Sequence, residues 1–386
     1  MTTLTNLKIW DGLRFVEADT LQFSRGIISY VGMHDDIPER TKTIDCSGLT
    51  AIPGLIDAHV HMELNPDDKQ APARTEPSVI PLMKARAQQM ALAGITTARD
   101  LGGGAWYELQ LRDEIASGQT LGPRLLCAGQ PITTPRGHCH FWGGGADNLG
   151  EAKQVLDRQL EHGVDLIKVM ATGGRLTPGS TAADAQFEQH DLSAIVSMAH
   201  EAGMPVAAHC HGTEGIRRAA QAGVDTIEHC SWVGNEGWGS DYQEPVARLI
   251  LENGIWVSPT VNKGWQRMLD SKTGKVLSRI RAAYRHMIDM GIPLVASTDA
   301  GIPGVYHHEL PQALLVFAQI AQLTSEQVLR SATSDAAIAL GIEAQTGRLA
   351  PGLSADVLVT DGNPVTDLSA ITRPVMVYCR GNQASA

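Results

Sequence analysis

Cysteine is scarce. The chain has six in 386 residues (Cys46, Cys127, Cys139, Cys210, Cys230 and Cys379), scattered and without a C-x-x-C pair. That argues against a disulfide framework, which a chain of this length does not need, and leads us to expect reduced thiols in a cytoplasmic protein. Positive charge is also in short supply: 31 Lys and Arg against 42 Asp and Glu give a formal net charge of −11. No basic block or arginine-rich helix occurs, so nucleic acid is not an expected partner. The acidic excess favours solubility but does not define a ligand, because a local site can carry the opposite sign. No apolar run is long enough to span a bilayer, so no membrane partner is expected. The opening MTTLTNLKIWDGLRF lacks a charged segment followed by an apolar one, and no signal peptide is expected. Internal repeats and low-complexity tracts are absent. The clusters Gly102-Gly103-Gly104 and Gly143-Gly144-Gly145 lack the spacings that cradle phosphate and are read as flexible loop tips.

What is present is an ordinary globular composition, 43% hydrophobic and 19% charged, in a chain long enough for a large barrel with an accessory layer. From about Ile52, short β-branched segments alternate with longer amphipathic ones. The short segments are GLIDAHVH, ITTARDLG, RLLCAGQPI, DLIKVMAT, PVAAHCHG, DTIEHCSW, IWVSPTV and PLVASTDAG. Helical patterns at Glu151–Gly163, Leu192–Gly203 and Gly215–Gly223 each end in glycine before the next strand. This alternation predicts an α/β fold, a (β/α)8 TIM barrel over residues 52–346, in preference to a doubly wound open sheet. The two ends read differently. Residues 1–51 (LTNLKIWDG, DTLQFSRGIISYVG, TKTIDCSG) and 347–386 (GRLAPGLSADVLVTDGNPVTD, PVMVYCRGN) carry short alternating strands with turns. Neither end is apolar enough to fold alone, so the two are expected to pair into one small β-sandwich.

In such a barrel the reactive residues gather at the C-terminal ends of the strands. Strand one ends in His59-Val60-His61, and residues two apart on a strand share a side. Strand five ends in His209-Cys210-His211, strand six in His229 and strand eight in Asp299. Imidazoles and a carboxylate converging on one mouth are ligands that zinc prefers, with manganese, iron or cobalt also compatible. Strand four carries Lys168 inside DLIKVMATGG, where a buried ammonium is costly unless it is paired or altered.

The pieces PGLIDAHVH, GITTARD, the strand-four lysine, AHCHG, GVDTIEH, STDAG and GRLAPGLSADVLVTDGNP span nearly the whole chain. Together they resemble the amidohydrolase superfamily of metal hydrolases. GHCHFWGG followed by IKVMATGG resembles its prolidase-like and imidazolonepropionase-related branch. The resemblance implies two divalent metal ions, zinc being the expected one. His59, His61 and Asp299 would hold one ion and His209 and His229 the other. Lys168 would bridge the two as a carbamate formed from CO2, which turns a buried cation into a ligand. It further implies attack by metal-bound hydroxide on an amide carbonyl, with Asp299 as catalytic proton shuttle.

The expected partner is a small-molecule amide: a dipeptide (Xaa-Pro-like or with another C-terminal residue), an N-acyl amino acid or a small cyclic amide. A homo-oligomer is expected. Substrate-orienting candidates are His140 first, then His138, with Arg136 in the same loop, Arg175 after strand four and His211 behind the ligands. Peptidase-like members often place a tyrosine just after strand seven. Here SPTVNKGW offers Val261, Asn262 and Lys263, which leaves other amides, cyclic imides or lactones open. The competing readings are an ester or lactone hydrolase, a deaminase using Glu214 of HGTEG, and a non-catalytic scaffold. The lysine weighs against the deaminase, and the complete ligand set weighs against the scaffold.

Overall fold

The computed structural model describes residues 1–38, 42–69, 76–271 and 274–384. Its centre is built from parallel strands. The first three (Leu55–Val60, Ile95–Asp100, Arg124–Cys127) form one sheet, and the next four (Ile167–Met170, Val206–Gly212, Thr226–Val233, Trp256–Ser258) form another, each in sequence order. The first, second, fourth and fifth strands are buried along their whole length. That is why they read as near-continuous apolar runs, and why a charge inside them is informative.

Hydrogen bonds join the two sheets at both ends. Ile132, beyond the third strand, accepts from Met170 N (2.9 Å) and donates to Lys168 O (2.8 Å). At the other end Val295 N donates to Val257 O (2.9 Å), while Ala58 N donates to Ala296 O (3.1 Å) and Asp299 N to His59 O (2.9 Å). Segment 294–300 therefore lies between the seventh and first strands, with isolated parallel bridges Val257–Leu294 and Val60–Ala300. It is not a regular strand, contrary to expectation. Pro293 has no N–H to give, and Asp299 adopts φ +63°, which breaks the extended run.

The three expected helices are present as Leu149–His162, Gln189–Glu201 and Thr213–Ala222. Each starts two or three residues before the expected boundary, because its first residues (Leu149-Gly150, Gln189-His190-Asp191, Thr213-Glu214) do not continue the apolar period. Gly163 and Gly223 end theirs at φ +71° and +76°. The second helix ends at Ala202 instead, with Gly203 (φ +74°) one residue later. The triplet Gly102–Gly104 is no loop tip. Gly102 and Gly103 are buried, and a Cβ on them would come within 2.5 Å of Pro131 and 2.7 Å of Glu63. Glycine is required there by close packing.

The chain ends meet in two further sheets. One runs Ile27–Gly32, Thr20–Ser24, Thr2–Thr5, Ile44–Asp45. The strand expected from Thr41 begins outside the described residues. The other runs Asn382–Gln383, Pro374–Cys379, Val357–Asp361, Leu49–Pro53, Lys8–Ile9, and so pairs the C-terminal tail with N-terminal strands. Its middle strand is a seam. Val357 and Val359 pack in one core with Leu4, Leu21 and Phe23. Leu358, alternating to the other face, joins the large core around the parallel strands and lies over Gly94. Among the described residues no helix is long and apolar enough to cross a membrane.

Leu358→Ala is expected to destabilise the protein by about 2–5 kcal/mol, because the seam cannot collapse around the lost side chain. A denaturant midpoint unchanged from wild type would show that the two cores are not coupled there.

Candidate metal centre

His59 and His61 point to one side at the end of the first strand. Their Nε2 atoms are 3.3 Å apart, and Asp299 Oδ1 is 3.3 Å from each. Three donor atoms at the corners of an equilateral triangle are what one face of a tetrahedral site demands. An edge of that length corresponds to ligand–ion distances of about 2.0 Å, the range for zinc with nitrogen and carboxylate ligands. The tautomers follow from the outer partners. His59 Nδ1 is 2.9 Å from Glu228 Oε2 and His61 Nδ1 is 2.9 Å from Gly102 O, both of which only accept. Both rings therefore carry hydrogen on Nδ1 and turn Nε2 inward; burial would lower His61, but Asp299 outweighs it and raises that ring.

A second group lies alongside. His209 Nε2 is 3.1 Å from Gly173 O, so its lone pair is on Nδ1, which is 2.9 Å from His229 Nε2. His229 Nδ1 is anchored on Thr260 Oγ1 at 2.8 Å. One ring nitrogen from each of His209, His211 and His229 fits within 4.8 Å of the others, and so do donors from His59, His229 and Asp299. His229 thus belongs to both groups. Burial drives His209 and His229 well below the ordinary histidine range, and His59 down to about 4. These rings are neutral at pH 7, the form that binds metal. Burial alone would raise Asp299, but His59, His61 and Lys168 hold it well below the usual carboxylate range.

Lys168 is 1% exposed, and its Nζ has no hydrogen-bond partner among the described residues. Burial lowers it to about 8; Arg99 pulls the same way and Glu228 opposes them. The neutral amine is therefore accessible. An orphaned buried amine beside neutral imidazoles and an ionised carboxylate fits a centre of two divalent ions with Lys168 carboxylated.

Behind this group lies a network that the periodicity of the sequence did not reveal. Arg99, on the second strand, reaches across to the sixth. It donates to Ala58 O (2.8 Å), Thr226 Oγ1 (3.0 Å) and Glu228 Oε1 (2.7 Å). Thr226 Oγ1 also donates to Glu228 Oε1 at 2.6 Å. Glu228 is adjacent to His229, and strict alternation would send the two to opposite faces. His229 has φ +67° and Cys230 +47°, and this turn of the backbone lets both side chains reach the interior. The available signal was a charge inside the buried runs ITTARD and DTIEHCSW, the same kind that marked Lys168.

The substrate candidates separate. His138 is buried against His209 with ring centroids 4.6 Å apart, and its Nδ1 has no partner among the described residues. Burial lowers it to about 4. His140 is exposed and bonded to Gly137 O through Nδ1 (3.0 Å). Arg136 and Arg175 are exposed. His211 Nδ1 contacts Ser231 Oγ at 2.9 Å. Lys263 pairs with Glu309 (2.5 Å), and Glu214 is held on the surface by Arg217 and Arg218. Trp142, which the sequence reading passed over, stands 5.3 Å from His61 between ring centroids. It belongs to an apolar cluster with Leu64, Cys139 and Met170, bordered by Phe141, Leu176 and Ile302.

Residues 50–384 match the sequence model of the amidohydrolase family. Ochratoxinase from Aspergillus niger is 27% identical over 92% of this chain and 80% of its own length. Imidazolonepropionase from Rhizorhabdus wittichii is 24% identical over 91% of this chain and 90% of its own. The crystal structure of a Xaa-Pro dipeptidase with methionine bound in its active site superposes with a TM-score of 0.87. It is 28% identical and is covered to 99%, as is this chain.

Arg99→Met should cost about 3–5 kcal/mol, because Glu228 would be left as an unpaired buried charge. Thr226→Val should cost about 1–3 kcal/mol for its lost hydrogen bond. Equal, near-zero effects in equilibrium unfolding would show that the carboxylate is not held as described.

Proposed function

Because this chain belongs to the amidohydrolase family, we propose that it hydrolyses the amide of a small carboxylate-bearing molecule: a dipeptide, an N-acyl amino acid or a small cyclic amide. It is a hydrolase of C–N bonds. The observation that carries the finer reading is the triangle of His59, His61 and Asp299 donors beside the partnerless Lys168 amine. In this reading His59, His61 and Asp299 would hold one divalent ion, His209 and His229 would hold a second, and a carboxylated Lys168 would supply a ligand shared by both. Zinc is the ion we expect. When bound, such ions polarise a carbonyl and acidify water.

The remaining work falls to side chains. Asp299, the most exposed member of the donor triangle, would take the proton of the attacking water and pass it to the leaving nitrogen. His138, neutral, buried and with Nδ1 unpartnered, is placed to orient the substrate carbonyl, and we rank it above His140 on that ground. Arg175 and Arg136 stand exposed as cations for a substrate carboxylate. The apolar cluster around Trp142 keeps water from that side and accepts an apolar flank of the substrate. The deaminase alternative loses its support, since Glu214 lies on the surface among arginines.

We read the parallel strands as one closed (β/α)8 barrel over residues 52–346, with residues 1–51 and 347–386 forming a composite β-sandwich. The six cysteines are all free and buried, which is consistent with a cytoplasmic site of action.

Zinc-loaded protein screened against N-acyl amino acids, dipeptides and hydantoin-like rings should hydrolyse at least one class. Lys168→Ala should lose activity and metal together, with partial rescue by a short added carboxylate. His138→Ala should lower kcat/KM by about 10²-fold or more while both ions stay bound. Full metal content and rate in Lys168→Ala would overturn the bridging role, and loss of metal in His138→Ala would make that residue a ligand.

A further inference from the structure

Arg99 and Glu228 form a buried ion pair with further hydrogen bonds on both sides, and nothing in the proposed reaction uses it directly. We infer that Glu228 is a positioning residue for His59: clamped by Arg99 and Thr226, it fixes the ring's tautomer and direction and so sets the ion affinity of the His59–His61–Asp299 triangle. The inference rests on the reading that this triangle holds an ion.

Three observations carry it. Glu228 divides its two oxygens cleanly: Oε1 takes Arg99 (2.7 Å) and Thr226 (2.6 Å), and Oε2 takes His59 Nδ1 (2.9 Å). Both donors on Oε1 are held in turn: Arg99 is tied to the first strand through Ala58 O, and Thr226 Oγ1 accepts from Arg99. The carboxylate therefore cannot rotate away from the imidazole. Glu228 and His59 are 0% and 1% exposed, so no water competes for Nδ1–H. A free imidazole interchanges tautomers readily. Here a carboxylate that can only accept places the hydrogen on Nδ1 and the lone pair on Nε2, towards Asp299. Glu228 and Arg99 also cancel in charge. The device therefore orients a ligand without adding a net charge beside Lys168, which electrostatically senses both.

The test measures metal affinity rather than turnover. Glu228→Ala alone strands Arg99 and could unfold the chain, so the informative variant is Glu228→Ala/Arg99→Met, which leaves no buried charge unpaired. Its fold is checked by circular dichroism, and zinc binding is measured by titration against a chelator. Loss of about 10–100-fold in affinity at one of two sites is expected, with the other site unchanged. In cobalt-loaded protein the visible spectrum of that site should change. Glu228→Gln/Arg99→Met, which restores an amide oxygen to accept from Nδ1–H, should recover most of the affinity. Wild-type affinity at both sites in the folded alanine double variant would overturn the inference, as would equal weakness of the alanine and glutamine variants. A wild-type protein that binds no divalent ion would overturn the reading beneath it, and this inference with it.

Discussion

The structure depends on one constraint: charges inside its parallel strands have no water to turn to. Arg99, Lys168 and Glu228 are each at most 3% exposed, and each must find a partner in protein or change its state. Arg99 and Glu228 find each other at 2.7 Å. Lys168 finds none among the described residues. That asymmetry sets the two buried cations apart, and the role proposed for Lys168 rests on it.

Backbone strain supports the same division. Positive φ outside glycine is uncommon; besides turn positions elsewhere such as Asn6, Arg25 and Arg380, it falls here on His229 (+67°), Thr260 (+52°) and Asp299 (+63°), with Cys139 (+56°) between the two loop histidines. Thr260 lies just beyond the end of the seventh strand, Asp299 follows the irregular segment that closes on the first, and His229 lies within the sixth strand. For Asp299 the turn also disrupts the expected eighth strand, so irregular backbone is the cost of carboxylate placement. Thr260 holds His229 through its hydroxyl, one strained residue supporting another. Such positions persist only where the surrounding packing over-determines them.

Much of this was legible in the sequence, for identifiable reasons. Burial on both faces makes parallel strands read as apolar runs, so Lys168 stood out, and the spacing of His59 and His61 follows from the two-residue period. The existence of the helices was legible, but their first turns were not, because the starting residues do not continue the apolar period. Glu228 was hidden by its neighbour. Alternation allowed only one of residues 228 and 229 to point inward, and the φ value that lets both do so is not a property of composition. Gly102 and Gly103 were misread because composition cannot distinguish a glycine needed for mobility from one needed for close approach. The ranking of His140 over His138 had no local signal to guide it. Which of two histidines in one loop is buried depends on the fourth and fifth strands, which lie far away in sequence.

The partition between strands and loops explains why the chemistry is easier to read than the substrate. Five of the six proposed ligands sit in or directly after regular strands, and the sixth, Asp299, is pinned to the first strand through its own backbone N–H. Their positions follow from ladder registers such as Met170 opposite His209 and Cys210 opposite His229. The apolar cluster draws instead on segments after the first, third and fourth strands and after segment 294–300: Leu64, Phe141 and Trp142, Leu176, Ile302. No ladder fixes those segments, and a change in any one reshapes the wall without disturbing the donors. A donor set held by strands beneath a specificity surface held by loops can keep one reaction while its substrates diverge. Similarity to an ochratoxinase, an imidazolonepropionase and a Xaa-Pro dipeptidase is the pattern such an arrangement produces. In the reading proposed above, Phe141, Leu176 and Ile302 would shape the apolar flank of the substrate site, while His138, Arg136 and Arg175 would meet its polar end.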